Sequence, residues 1–190
     1  ELASCLVGSE MCIRDRRIIL AILSIAIIHG SEFTIKEGEV TYYGYHLLHD
    51  WKGTSNQIGG DFTFEPSLEN FDGVISIPVK SFDSGNSNRD SNMLIYCRGI
   101  KYPNISFRPK EIIKGDNLVT INGMLEFAGN VQDLTTSTSI KAISDSSFTA
   151  EGKFDILLSK FDVERPSLLF TKIEDRISIE YTIIAEKKDE

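Results

Sequence analysis

From Ser31 onward the chain repeats with a period of two, and that constrains its fold more than any other feature. DFTFE puts Phe62 and Phe64 on one face and Asp61, Thr63 and Glu65 on the other. FDGVISIPVK does the same with Phe71, Gly73, Ile75, Ile77 and Val79, and NISFR with Ile105 and Phe107. In SSFTAEGKFDILLS the shared face is Phe148, Ala150, Gly152, Phe154, Ile156 and Leu158; in RISIEYTII it is Ile177, Ile179, Tyr181 and Ile183. Such alternation marks antiparallel strands with one face toward a core and the other toward water. About eight strands are predicted, near 33–45, 58–66, 71–81, 103–113, 117–127, 134–144, 147–160 and 172–184. Turn signals separate most of them, among them Glu65-Pro66-Ser67, Lys114-Gly115-Asp116-Asn117, Ser144-Asp145-Ser146 and Arg165-Pro166-Ser167. Several run past ten residues, and long open edges invite aggregation, so closure is favoured. The expectation is an all-β, eight-stranded antiparallel up-and-down barrel, whose interior is either filled by side chains or holds one small ligand.

One segment breaks the alternation. SFDSGNSNRDSNMLIYCRG reads as a short helix after the third strand, with Ser87 as N-cap, Asp90 as a variant capping-box partner and Gly99 at the C-terminal stop. Met93, Leu94 and Cys97 share one side of it, placed to close or line a barrel end. Asp83, Arg89 and Asp90 read either as caps with a local ion pair or as a polar site at the barrel mouth.

The first thirty residues stand apart. Residues 1–16 lack periodicity and resemble a translated sequencing-adapter read-through; the competing reading takes Met11 as a start and MCIRDRR as an n-region. Residues 17–30 carry an apolar run, Ile18 to Ile28, too short to span a bilayer but suited to a signal peptide, with an ambiguous cleavage point. The domain proper is 31–190, with no transmembrane anchor expected after leader removal. A net charge of −8 and the lack of a basic stripe exclude a typical nucleic-acid binder. Cys5 and Cys12 fall in the leader, which leaves Cys97 as a semi-buried, inert thiol.

No catalytic constellation is visible, and neither a metal nor a cofactor is expected. His46 and His49, in YHLLHDWKG, could share a face only on a helix; as loop or rim histidines beside Trp51 they are packing groups or guard an opening. What remains is the apolar interior. A ligand there would be contacted by Phe62, Phe64, Ile75, Ile77, Phe107, Phe127, Phe154 and Ile156. Ten buried methylenes contribute roughly 8 kcal/mol gross, so a greasy chain suits this lining better than a polar substrate.

GEVTYYGYHLLHDWKGTSNQIGGDFTF, ISIPVKSFDSGNSNRDSNML, KYPNISF and LSKFDVERPSLLFTKIEDRISIEY, in that order and spacing, resemble the YceI-like family of bacterial envelope proteins over residues 33–185. HDWKGTS and VERPSLLF resemble the branch common in Bacteroidetes-type bacteria. The resemblance implies a lipocalin-like barrel secreted to the periplasm, binding polyisoprenoid or other long amphiphilic lipids without catalysis, in many members as a homodimer. One departure is Phe127-Ala128-Gly129-Asn130-Val131, where many relatives have a His-Gly-Val-Thr loop; no histidine role carries over to Ala128. The alternative reading is an envelope interaction or stress-response module with a filled barrel and no lipid.

Overall fold

The computed structural model describes residues 31–64, 71–115, 118–144 and 146–188, apart from the side chains of 64, 71 and 168. Both leader segments, the turn at Glu65-Pro66-Ser67, and Asp116, Asn117 and Asp145 of two further turns lie outside the described residues.

The strands are β1 (Ser31–Gly44), β2 (Trp51–Ser55), β3 (Gly59–Phe64), β4 (Phe71–Pro78), β5 (Asn104–Lys114), β6 (Val119–Phe127), β7 (Asn130–Ser144), β8 (Ser147–Leu157), β9 (Ser167–Leu168), β10 (Thr171–Lys172) and β11 (Arg176–Lys187). Helix α1 (Ser87–Tyr96) follows β4. Neighbours pair in the order β11-β8-β7-β6-β5-β4-β3-β1, and β1 pairs back onto β11, so the sheet closes into an antiparallel barrel of eight staves. One stave is broken. β3 pairs with the first part of β1 (Ser31–Thr34) and β2 with its last part (Val40–Gly44), so the two share one edge. Beyond the break, Thr54 and Asp83 exchange both backbone hydrogen bonds at 2.9 Å. Counted by staves, α1 follows the third.

Two features depart from simple alternation. In β1 the register shifts between Ile35 and Glu37, so the inward set changes from Phe33 and Ile35 to Val40 and Tyr42. β9 and β10 form a hairpin inside the β8–β11 connection, where the sequence predicts a turn at Arg165-Pro166-Ser167 and a single strand beginning at Lys172.

The helix ends are shifted from the expected ones. Asn86, not Ser87, is the N-cap: its side-chain oxygen accepts from the backbone N–H groups of Asn88 and Arg89, both at 3.1 Å. Asp90 reaches back instead to accept from Ser84 N–H at 3.1 Å. At the other end Arg98, with φ 53°, takes the left-handed position expected of Gly99. Arg98 N–H donates to Ile95 O at 3.0 Å and Gly99 N–H to Leu94 O at 2.8 Å, which is the Schellman pattern. Arg98 tolerates this backbone because its guanidinium is held by Phe161 O (3.1 Å) and Asp162 O (3.2 Å). Gly99 is required next to it for closeness: a Cβ there would stand 2.9 Å from Leu94 Cδ2 and 3.1 Å from Val79 Cγ1.

The interior divides along the barrel axis. At the end opposite α1, Phe33, Phe62 and Phe148 meet with centroids 5.4 to 6.2 Å apart, backed by Ile35, Ile183 and Ala185, and stop the barrel. Lys188, bonded to Glu32 at 2.6 Å and Asp61 at 3.3 Å, clamps the rim there. Toward α1 the packing is built around Val79, Phe82, Leu125, Phe127, Leu158 and Phe161.

A cavity in the barrel

Many outward polar side chains pair with one another across neighbouring strands, as Tyr43 does with Glu180 and Ser178 with Asp155, and the aromatic stopper fills one end, so the lumen and the helix end are the candidate site. There a cavity of about 550 Å³ opens inside the closed sheet. Its walls are inward positions of the staves: Val40 and Tyr42 of β1, Ile75 and Ile77 of β4, Ile105 and Phe107 of β5, Ile121, Leu125 and Phe127 of β6, Phe154 and Ile156 of β8, and Ile177, Ile179 and Tyr181 of β11.

The lumen stays open partly because rings lie flat against the wall. A Cβ at Gly152 would stand 2.4 Å from the Tyr181 hydroxyl, and one at Gly53 would stand 2.5 Å from the Tyr42 ring. Each glycine is the cross-strand partner of its ring, by the pairs Gly152–Tyr181 and Tyr42–Gly53. Any side chain at either position would push the ring into the cavity.

Three elements frame the mouth: the segment after β1, the lumen face of α1, and the β8–β11 connection. His46 is buried and ties the first to the third. Its Nδ1 accepts from Leu48 N–H at 3.2 Å, so its Nε2, 3.2 Å from Thr171 O, carries the proton. His46, His49 and Trp51 follow one another with centroids 6.1 and 6.0 Å apart, and Arg89 of α1 lies over Trp51 with its guanidinium carbon 5.8 Å from the ring centre. Arg89, Met93 and Tyr96 of α1, with Cys97 at its C-cap, line the cavity at helical spacing. The β8–β11 connection is pinned from outside: Asn130 donates to Phe161 O at 2.7 Å, Gln132 to Lys160 O at 2.9 Å, and Ser159 to Asp175 through both N–H and hydroxyl at 2.9 and 2.6 Å.

Two groups that face the lumen, Tyr42 and Cys97, are pushed toward their neutral forms. Burial, reinforced by the Asp90 carboxylate, pushes the Tyr42 hydroxyl up to about 12. Burial also pushes the Cys97 thiol up to about 12, against the opposing pull of Arg98. Neither is a nucleophile at neutral pH. Among the described residues no three His, Cys, Asp or Glu side chains gather as metal ligands, and no helix is long and apolar enough to cross a membrane.

Of the ligand contacts expected from sequence, Ile75, Ile77, Phe107, Phe127, Phe154 and Ile156 line the cavity. Phe62 is placed in the aromatic stopper instead, 3% exposed, because β3 contributes to the far end of the barrel. The Phe64 side chain lies outside the described residues. At the mouth, His46, His49, Trp51, Arg89 and Met93 line the cavity, whereas Leu94 packs into the core beneath α1 and Asp83 does not reach the lumen. The Asp83 carboxylate caps the turn by accepting from Gly85 N–H at 2.7 Å. The local ion pair is not formed: among the described residues Arg89 pairs with no carboxylate. Sequence reasoning missed Tyr42, Phe82 and Tyr96, and also Thr136 and Thr138; it put Tyr181 on an inward face without assigning it to the site, and these last three put hydroxyls on the cavity wall. Thr136 and Thr138 stand at alternate positions of TTSTS, which was the available signal, but a search for apolar alternation passes over it.

The family model for the YceI-like domain matches residues 32–185. The chain belongs to the YceI-like family. Comparison with curated proteins finds no match. Among solved structures, this YceI-like chain is similar to BcnA of Burkholderia cenocepacia, with a TM-score of 0.68 at 19% identity, covering 77% of this chain and 95% of that one. It is similar to a polyisoprenoid-binding domain from Saccharophagus degradans, implicated in plant cell wall breakdown, with a TM-score of 0.66 at 10% identity over 82% and 98% of the two chains. The YceI protein of Campylobacter jejuni has a TM-score of 0.62 at 19% identity over 76% and 90%. At these identities the solved structures establish the shared fold.

Proposed function

We propose that this YceI-like barrel is a binding or carrier protein, not an enzyme, and that its ligand is a long apolar or amphiphilic lipid, polyisoprenoid-like in character, held along the barrel axis. The observation that carries this is the cavity of about 550 Å³, walled by aliphatic and aromatic side chains and open at the α1 end. Its size falls within the range of about 300–1,000 Å³ common for ligand pockets. A methylene is close to a water in size, and at about 30 Å³ each the space takes a chain of roughly 18 carbons. Burying that many methylenes contributes roughly 14 kcal/mol gross, against an association cost of about 4–15 kcal/mol. Most of the cavity must therefore be filled before binding becomes tight, which favours long chains over short ones. The name of the Saccharophagus neighbour, a polyisoprenoid-binding domain, supports the same ligand class. The alternative of a filled interaction module requires an interior without room for a chain.

The periplasm is the compartment we assign, with residues 17–30 as the signal peptide; there a greasy chain crossing an aqueous space needs a carrier. In this reading the lumen face of α1, with Arg89 and Met93, is the lid. Native mass spectrometry of protein purified from its own cell envelope tests the proposal. The expected spectrum shows the processed chain with one lipid-sized adduct that organic extraction removes. A spectrum of bare chain, with no lipid in the extract, would sink it.

A further inference from the structure

The floor of the cavity holds a hydrogen-bond donor with no partner among the described residues. Tyr181 OH lies 2.6 Å from Thr138 Oγ1 and 3.3 Å from Thr136 Oγ1, and among the described residues these are the only hydrogen bonds the three hydroxyls make. Three hydroxyls carry three protons, and two bonds use two. If both threonines donate to Tyr181, the phenolic proton is left over; if Tyr181 donates to one threonine, that threonine's proton is left over. All three side chains line the cavity, and Thr138 and Thr136 are only 1% and 5% exposed. Tyr181 itself is half-buried; a saturated ligand that displaced water from the trio would leave the spare proton unpaired, which is unfavourable.

The trio sits deep. Thr138 pairs across the sheet with Gly152, and Gly152 with Tyr181, only two inward positions along β8 from Phe148 of the aromatic stopper. A saturated chain tip brought there would meet a donor it cannot satisfy.

We infer that the Thr136–Thr138–Tyr181 trio is a recognition point for an acceptor oxygen at the buried end of the ligand. The ligand class is an apolar chain bearing a carbonyl oxygen, bound carbonyl-first with its tail leading out past Trp51 and α1. This rests on the lipid-binding reading above and adds an orientation and a chemical selectivity that an apolar lining alone would not supply.

Two probes matched in length separate the claims: methyl tridecyl ketone and pentadecane, each used to displace anilinonaphthalene sulfonate from the purified chain. The wild type should bind the ketone about tenfold more tightly than the alkane, the worth of one well-made hydrogen bond in a dry site. Tyr181→Phe combined with Thr136→Val and Thr138→Val removes all three donors and should bind the ketone no more tightly than the alkane, while holding the alkane at least as well as the wild type, which also reports that the barrel is intact. Thr136→Val removes one proton and one bond together, so one spare donor remains and the preference for the ketone should persist. Equal binding of ketone and alkane by the wild type, or a preference that survives in the triple variant, would overturn the inference and leave the lipid carrier standing. Failure of both probes to displace the dye from the wild type would overturn the carrier reading as well.

Discussion

Cys97 shows how burial alone sets a residue's chemistry. Its thiol sits beneath the helix end at 8% exposure, and the loss of solvation holds the proton on to about pH 12. In the unfolded chain the same thiol ionises near its ordinary value of 9.0. Below pH 9 both states keep the proton and nothing is lost. Above it the unfolded state ionises alone, so stability declines with rising pH, by at most about 1.4 kcal/mol per pH unit for one such group. Tyr42 adds a limb of the same sign above its own ordinary value of 10.0. Thermal melts from pH 7 to 11 should therefore show the wild type weakening above pH 9 and Cys97→Ala weakening less; parallel profiles would refute the assignment. The same burial makes the thiol inert to iodoacetamide at pH 8 until the chain unfolds.

Gly152 is the residue-scale control of the lumen. Gly152→Val places a branched side chain where the Tyr181 hydroxyl now lies, forcing the ring inward. The expected result is a folded barrel whose longest tightly bound chain is several carbons shorter than in the wild type. An unchanged chain-length limit in a displacement titration would show that the ring has another place to go. The sequence shows Gly152 as a member of an inward face, yet period two cannot tell a position that fills the core from one that keeps it empty.

At the scale of elements, α1 depends on its caps because it buries none of its own ten residues fully. Asn86 satisfies two backbone donors of the first turn. Asn86→Ala should cost about 1 kcal/mol and loosen the lid, seen as faster amide exchange across Ser87–Tyr96 with little change in the barrel strands. Equal loss of protection in the strands would mean that α1 and the barrel unfold as one unit. A strand was legible for each of the eight staves within a few residues, because alternation runs long enough to be seen; only half of the broken stave escaped. That half is β2: WKGTS is five residues with a glycine at its centre, and its inward positions are Trp51, Gly53 and Ser55. The bulge in β1 was equally hidden, since the change of face near Lys36 looks in sequence like a loss of pattern. The caps moved by one residue at either end because Asn86 competes with Ser87 on equal terms, and because the Arg98 contacts that hold its backbone come from residues more than sixty positions away.

For the whole molecule, a closed sheet with one end stopped by three phenylalanines and the other opening beneath a helix makes a socket of fixed length. Fixed length has a direct thermodynamic signature. Each methylene added to a chain inside the socket is worth about 0.8 kcal/mol, close to a fourfold gain in affinity, until the chain reaches the stopper. Beyond that point further carbons stay in the mouth or in water and add little. The decisive measurement is a displacement titration over a series of saturated methyl ketones of increasing length. The expected curve climbs about fourfold per carbon and levels off near roughly 18 carbons, the length at about 30 Å³ per group that fills the cavity of about 550 Å³. Affinity that does not depend on chain length would contradict a lipid held along the barrel axis.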